Sequence, residues 1–440
     1  MRKLTVLIMV LVTVMSFAYV KNVILLIGDG MGINHVYLTQ LLEGQPLAMT
    51  KTPCIGLITT YSANSWVTDS AAAGTALATG FKTNNRMIGL LPSGENVPTL
   101  AEVLKKYGVK IGLVVTCRIT HATPASFYGH VEDRDMENEL AEQLADSDFD
   151  VIFGGGYRHF FPESVKGSKR TDDKDLIALM KGQGYVYVSK KSELETVDEG
   201  KVIGLFAPSH LSPASNRPEE QPMLYEMVNK ALQLLSRDGE PFFLMVEGSQ
   251  IDWEAHDNDV YGVWKETVEF DKAVKVALEF AEKNPDTLVV ITADHETGGL
   301  SISSGNQMIE INKLRQYKMN TETFLSRFSI DKKEEFINAA RNYYGIDISD
   351  EEYRFLLSKK NSLNSSEFVK EFGRFLSGKS LVGWTTFDHT GMPVPVFSFG
   401  PGAENFTGWF DNTEIPRIIA RLMGYPLTYP IYKEPVTVNN

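Results

Sequence analysis

Carboxylates and imidazoles gather at four places where an apolar run ends. Asp29 stands between glycines in LLIGDGMG, and Glu247, Asp252 and His256 share VEGSQIDWEAH. Asp294 and His295 adjoin in ITADHETGG, and His389 lies in FDHTGMPVPVF. Imidazole nitrogen and carboxylate oxygen are ligands that zinc takes, and a mixed set with an open position belongs to a catalytic rather than a structural site. Asp252 and His256, four residues apart, share a face if their stretch is helical. A single strand-end aspartate is more often a turn or capping residue, so the metal reading rests on recurrence. His256, His295 and His389 all lie in Asp/His pairs, whereas His35, His130, His159 and His210 have no such company and read as structural.

VTDSAAAGTALATG, residues 67–80, offers a hydroxyl nucleophile. The alanine-rich run predicts a helix over 70–79 with Thr68 or Asp69 as N-cap and Ser70 in the first turn. A helix N-terminus attracts anions through its free N–H groups and dipole, and the small residues behind it permit close packing. Taken alone, Ser70 reads more simply as a capping residue. No G-x-S-x-G elbow is present, so a serine–histidine–acid hydrolase is not supported. If Ser70 is a nucleophile, a metal ion rather than a histidine has to activate it.

Short β-branched runs at 22–28, 111–116, 151–155, 242–248, 287–295 and 394–400 must position these groups. Helical spacing of apolar residues recurs between them, at 99–107, 136–145, 223–235 and 262–282. The alternation predicts an α/β fold: a large, mostly parallel central sheet with helices on both faces, whose ligands sit beyond the carboxyl ends of the strands. Residues 306–380 are charged and amphipathic without strand-like runs, which predicts a helical insertion dividing the α/β domain into 19–305 and 381–440. GDGMGI is not a dinucleotide turn, because Ile33 replaces the third glycine. NSS at 364–366 and NFT at 405–407 are glycosylation sequons.

A chain of 440 residues, 43% apolar and with a formal charge of −13, reads as globular and poorly suited to nucleic acid, whose phosphates attract basic surfaces. A small anionic substrate still fits if bound metal concentrates positive charge. Residues 1–18 read as an export signal: Arg2 and Lys3, an apolar run over 4–14, then SFA before Tyr19. That run falls short of the ~20 residues a membrane span needs, so a periplasmic or secreted protein without an anchor is expected. Cys54 and Cys117 are too few to staple the domain, although export would let them pair. Cys117, after an apolar run, reads as a buried small residue.

Six motifs, LLIGDGMG, VTDSAAAGTALATG, THATPASFYGHVEDR, VEGSQIDWEAHDND, TADHETGG and DHTGMPVPVFSFGPGAENFTG, follow one another in a familiar order. In them the chain resembles the alkaline phosphatases. The resemblance makes Ser70 the nucleophile that becomes phosphoserine and Arg134 the arginine that grips the phosphate. It implies two zinc ions, one on Asp252, His256 and His389, the other on Asp29, Asp294 and His295 with Ser70 approaching it. It implies a third metal, usually magnesium, among Asp29, Thr123 and Glu247, and small phosphate monoesters as substrates. A homodimer, and a crown-like role for the stretch 306–380, are implied in the same way.

Two positions depart from the best-known bacterial pattern. His121 stands where that pattern has aspartate beside the third metal, which disfavours magnesium and suits zinc or another transition metal such as cobalt. Some family members nevertheless combine histidine with magnesium. Trp253 replaces a lysine near the substrate phosphate and cannot supply its charge, so phosphate is expected to bind less tightly and leave faster. Three alternatives stay open. A phosphodiesterase of the same superfamily would tend to use threonine and lack the arginine, a sulfatase would need a C-x-P-x-R-like context, and a binding module would have lost turnover.

Overall fold

The computed structural model describes residues 20–305, 307–425 and 427, so the export-signal reading of 1–18 lies outside the described residues. Fourteen strands are formed among the described residues. The first seven are β1 Asn22–Gly28, β2 Cys54–Thr59, β3 Lys110–Arg118, β4 Val151–Gly155, β5 Tyr185–Val188, β6 Lys201–Leu205 and β7 Phe242–Gly248. The others are β8 Thr287–Thr292, β9 Glu296–Thr297, β10 Leu300–Ile302, β11 Val382–Trp384, β12 His389–Thr390, β13 Val394–Phe399 and β14 Gly408–Asp411. Ten build one sheet in the order β14-β2-β13-β8-β1-β7-β3-β4-β6-β5. All its pairings are parallel except those of β13, which runs antiparallel to both β2 and β8. Every residue of β1, β7 and β8 is buried, which is why these strands read as unbroken apolar runs rather than alternating ones.

Helix Val260–Lys283 packs against helices Leu224–Ser236 and Ile33–Glu43. Helix Leu100–Lys106 starts with a reciprocal cap between Thr99 and Glu102. Residues 311–378 form five helices: Ile311–Leu314, Thr321–Arg327, Lys333–Tyr344, Asp350–Ser362 and Ser365–Gly378. Phe324, Phe336, Tyr344, Leu356 and Phe372 close a second apolar core that reaches Leu38 and Trp264 on the sheet-covering helices. The antiparallel pair β10–β11 joins the chain just before this helical stretch to the chain just after it. Asn364, the sequon asparagine, caps the last of the five helices through Glu367 N. Cys54 on β2 and Cys117 on β3 are separated by β13, β8, β1 and β7, and both are free thiols.

Candidate active site

Parallel register sets three strand ends level. Ile27 of β1 lies beside Glu247 of β7 and Thr292 of β8, so Asp29 and Asp294, two residues further along their chains, reach the same edge. Gly30 has a left-handed backbone, φ 71°, and a Cβ there would sit 2.7 Å from the Asp252 Cα. Only glycine lets the turn after β1 approach helix Ile251–His256 so closely. The Gly30 N–H donates to Asp294 Oδ1 at 3.1 Å.

Among the described residues, ligand atoms of Asp252, His295 and His389 lie within 4.8 Å of one another, as do those of Asp29, Asp294 and His295. His256 falls outside both groupings but adjoins the first, its Nε2 being 3.4 Å from Asp252 Oδ2. The rings of His295 and His389 stack with centres 3.6 Å apart, so the two expected ligand sets share a wall. Each of these three histidines points its Nε2 inward. His256 Nδ1 donates to the Phe387 carbonyl, His389 Nδ1 to the Thr68 carbonyl at 2.9 Å, and His295 Nδ1 faces Thr297 Oγ1 at 3.3 Å. Thr297 Oγ1 donates to Asp252 Oδ1, which leaves its lone pairs for His295. A partner on Nδ1 fixes the tautomer whose Nε2 lone pair can take a metal.

Asp29, Glu247, Thr123 and Asp294 are all fully buried. Glu247 Oε2 accepts from Ser249 Oγ at 2.6 Å and from Cys117 Sγ at 3.1 Å, which leaves Oε1 without a partner. Both Asp29 oxygens, Asp294 Oδ2 and Thr123 Oγ1 are likewise without a hydrogen-bond donor or acceptor. Burial, then repulsion from Asp294, Asp252 and Glu247, pushes the Asp29 carboxyl well up. Burial with the charge of Asp252 raises Asp294 to about 8. Burial opposes the Asp252 carboxylate too, but the surrounding His256, His389 and His295 outweigh it and hold that group well below the ordinary range. Orphaned buried carboxylate oxygens are costly, and divalent cations would discharge this set. The residues present therefore fit metal ions.

Asp69 is the N-cap of helix Ser70–Thr79, accepting from the Ala72 N–H at 3.0 Å. Ser70 is its first residue and is 2% exposed. Its Oγ lies 3.2 Å from His295 Nε2, which brings the serine to the second ligand set. Helix Ser70–Thr79 packs on the short helix Ala122–Ala125, and Gly74 makes this contact possible: a Cβ there would lie 2.7 Å from Ser126 Oγ. Thr123 is thereby held behind the serine.

Arg134 is oriented by the other oxygen of the capping aspartate, Nη1 donating to Asp69 Oδ2 at 3.1 Å. Its Nη2 lies 3.3 Å from His121 Nε2. Burial first, and then Arg134, His210 and Arg118, keep His121 neutral by lowering its pKa far below the usual value. Its Nδ1 is buried without a partner. Trp253 sits edge-on to His121 with ring centres 5.8 Å apart.

A sequence profile of the family described as alkaline phosphatase matches residues 20–425. The chain belongs to the alkaline phosphatase family. It is 35% identical over 422 residues to alkaline phosphatase 4 of Bacillus subtilis strain 168, covering 92% of this chain and 89% of that one. Alkaline phosphatase 3 of the same organism is also 35% identical, over 435 residues and with the same coverage of both chains. Among solved structures, the cold-active alkaline phosphatase of Shewanella sp. superposes with a TM-score of 0.82 at 31% identity, over 91% of this chain and 99% of that one. The Thermus thermophilus alkaline phosphatase gives 0.83 at 27%, over 93% and 92%. A variant of alkaline phosphatase from the Antarctic bacterium TAB5, with one histidine changed to aspartate, holds magnesium in its M3 site. That variant superposes with a TM-score of 0.70 at 31% identity, over 92% of this chain and 99% of that one. Membership makes the chain a phosphomonoester hydrolase of a typically metal-dependent family.

Some groups of this alkaline phosphatase site leave little trace in sequence. The carbonyls of Thr68 and Phe387 orient two histidines, but a carbonyl belongs to every residue. Thr297 bridges Asp252 and His295 from β9, two residues after His295 in a motif that drew attention only for its acid and imidazole. His210, read as structural, stands in the site wall, its ring centre 4.0 Å from that of Trp253 and 5.5 Å from that of His121. Burial and the nearby Arg118 and Arg158 hold His210 down to about 2, so it is neutral.

Proposed function

We propose that the chain hydrolyses small phosphate monoesters to an alcohol and inorganic phosphate through a phosphoserine on Ser70. The observation that carries this reading is the position of Ser70 Oγ at a helix N-terminus, against His295 Nε2 and the orphaned carboxylates. Two zinc ions would be held by Asp252, His256 and His389 and by Asp29, Asp294 and His295. A third ion, magnesium or a transition metal, would be held by Asp29, Thr123 and Glu247 with His121 beside it. Bound there, such ions supply positive charge for the attacking and leaving oxygens of an in-line displacement and lower the pKa of a bound hydroxyl or water.

The chain's own part is positional. Arg134 presents its guanidinium to two phosphoryl oxygens, a match for a monoester dianion, and Asp69 holds that guanidinium in place. The free N–H groups at the start of helix Ser70–Thr79 add donors toward the phosphoryl group. Ser70 Oγ gives up its proton and bonds to phosphorus as the ester P–O bond breaks, and the departing oxygen takes up a proton to leave as the alcohol. Water then gives up a proton and forms the P–O bond of the product phosphate as the Ser70 Oγ–P bond breaks, and Ser70 Oγ takes a proton back. Trp253, in the position next to Asp252, contributes an apolar wall and no charge, which favours release of phosphate.

The test strips the protein of metal and refills it with zinc, magnesium or cobalt, singly and together, while a chromogenic phosphate monoester is hydrolysed. Activity should require metal, and Ser70→Ala should lose on the order of 10³-fold or more in kcat together with the acid-stable phosphoprotein that labelled substrate leaves behind. A fully active Ser70→Ala variant would overturn the assignment. Export through residues 1–18 and assembly as a homodimer complete the proposal. The first rests on the order of charged, apolar and small residues there and the second on the family resemblance. N-terminal sequencing and light scattering of the purified protein test them.

A further inference from the structure

Helix Ile251–His256, which carries Asp252 and His256, ends in a turn that is gripped by the helical stretch inserted between β10 and β11. Asn258 in that turn has a left-handed backbone, φ 51°. Its Nδ2 donates to the carbonyls of Ala255 at 2.9 Å and Thr386 at 3.0 Å. Three residues of helix Ser365–Gly378 meet the turn. Gly373 is so close that a Cβ there would lie 2.1 Å from the Asp257 carbonyl oxygen. Ser377 Oγ donates to the Asn258 carbonyl at 2.7 Å. Arg374 Nε donates to Asn258 Oδ1 at 3.0 Å, and its guanidinium lies 3.8 Å over the Phe387 ring. Phe387 is the residue whose carbonyl accepts from His256 Nδ1. One guanidinium thus touches both the turn that ends the ligand helix and the residue that orients its imidazole.

We propose that Arg374 is a positioning residue for His256, holding the Phe387 carbonyl and the Asn258 turn so that His256 Nε2 stays aimed beside Asp252. The inference rests on the reading of His256 as a metal ligand. Arginine suits the place because a planar guanidinium can stack on a ring and donate in its own plane at once, which an ammonium cannot. The close contact at Gly373 is what brings the arginine within reach. The helical insertion therefore supports the metal centre from behind.

Two readouts on the full chain test this. Hydrogen exchange in metal-free protein reads the clamp without any ion: amides of residues 251–258 should exchange about tenfold faster in Arg374→Ala and in Gly373→Ala, with exchange elsewhere unchanged. Lys360→Ala, which removes an exposed cation paired with Asp331 in the same insertion, should behave as the parent. In zinc-loaded protein challenged with a chromogenic chelator, Arg374→Ala should release one zinc equivalent about tenfold faster and the other at the parent rate. Arg374→Lys should match Arg374→Ala, and a wild-type result from lysine would reduce the role to charge and overturn the geometry. Unchanged exchange at 251–258 in Arg374→Ala, or faster exchange spread over the whole chain, would also overturn it. If the parent protein takes up no zinc, the metal reading of His256 fails, and the exchange experiment still decides the clamp. Arg374→Ala carries the decision if Gly373→Ala does not fold.

Discussion

His121 has two neighbours with different demands. Its Nε2 faces Arg134, the proposed grip on phosphate, and its buried Nδ1 has no hydrogen-bond partner and is free for the proposed third metal. Neutral imidazole is a poor ligand for magnesium, a hard cation that prefers oxygen. We expect His121→Asp to raise magnesium affinity at the third site about tenfold, read by titrating magnesium into zinc-loaded protein and following both activity and calorimetric binding. Unchanged affinity would instead assign His121 to the orientation of Arg134. At this scale the seven acid and imidazole candidates were legible because their side chains are chemically distinctive and lie where strands end. Thr123, Arg134 and His121 were visible only through the family resemblance, since threonine, arginine and a lone histidine in a loop carry no chemistry of their own until neighbours are known.

Helix Ser70–Thr79 is small-residue-rich for a packing reason. Gly74 faces Ser126 and Thr123, and even a Cβ would stand 3.4 Å from the Thr123 Cα. Gly74→Val improves intrinsic helix propensity yet adds a Cβ and two methyls to this contact, so it should cost about 1–3 kcal/mol and lower Tm. It should also weaken the proposed third metal site, because Thr123 lies in the segment that must move. An unchanged Tm would show that the two helices can part freely. The six strands and five helices read between and beside the motifs lie within a few residues of their observed bounds because apolar runs and helical periodicity report burial, whereas β2, β5, β6 and β14 of the main sheet and helix Ile33–Glu43 were not read. The direction of β13 was not legible, since an apolar run reads the same whichever way the strand lies. Nor was the grip of helix Ser365–Gly378 on the Asn258 turn. Gly373, Arg374 and Ser377 are ordinary residues of an amphipathic helix until the fold sets them on their partner.

Across the whole molecule the site is a concentration of buried charge that the proposed metal ions would balance. Without metal, the folded protein holds protons that the unfolded chain has released: Asp294 titrates at about 8, Asp29 and Glu247 are raised, and His256, raised to about 9 where burial is outweighed by Asp252, keeps its proton. Unfolded carboxylates ionise near 4 and histidine near 6.5. The folded state therefore binds more protons between about pH 6.5 and 9, and the stability of the metal-free protein falls as pH rises through that window. Metal bound as proposed would displace these protons, so the gap in Tm between loaded and stripped protein should widen from pH 6.5 to pH 9. A constant gap would detach the carboxylates from the metal. The sheet order bears on when this balance can be struck. Asp29 follows the first strand, whereas His389 precedes β13, which is laid between β2 and β8 after nearly all of the chain exists. A nascent chain that has not yet delivered β13 has no seam joining β2 to the rest of the sheet and no place for His389. Of the two proposed zinc sets, the one that needs His389 is thus completed only when the chain has reached β13, whereas Asp29, Asp294 and His295 are all delivered before it.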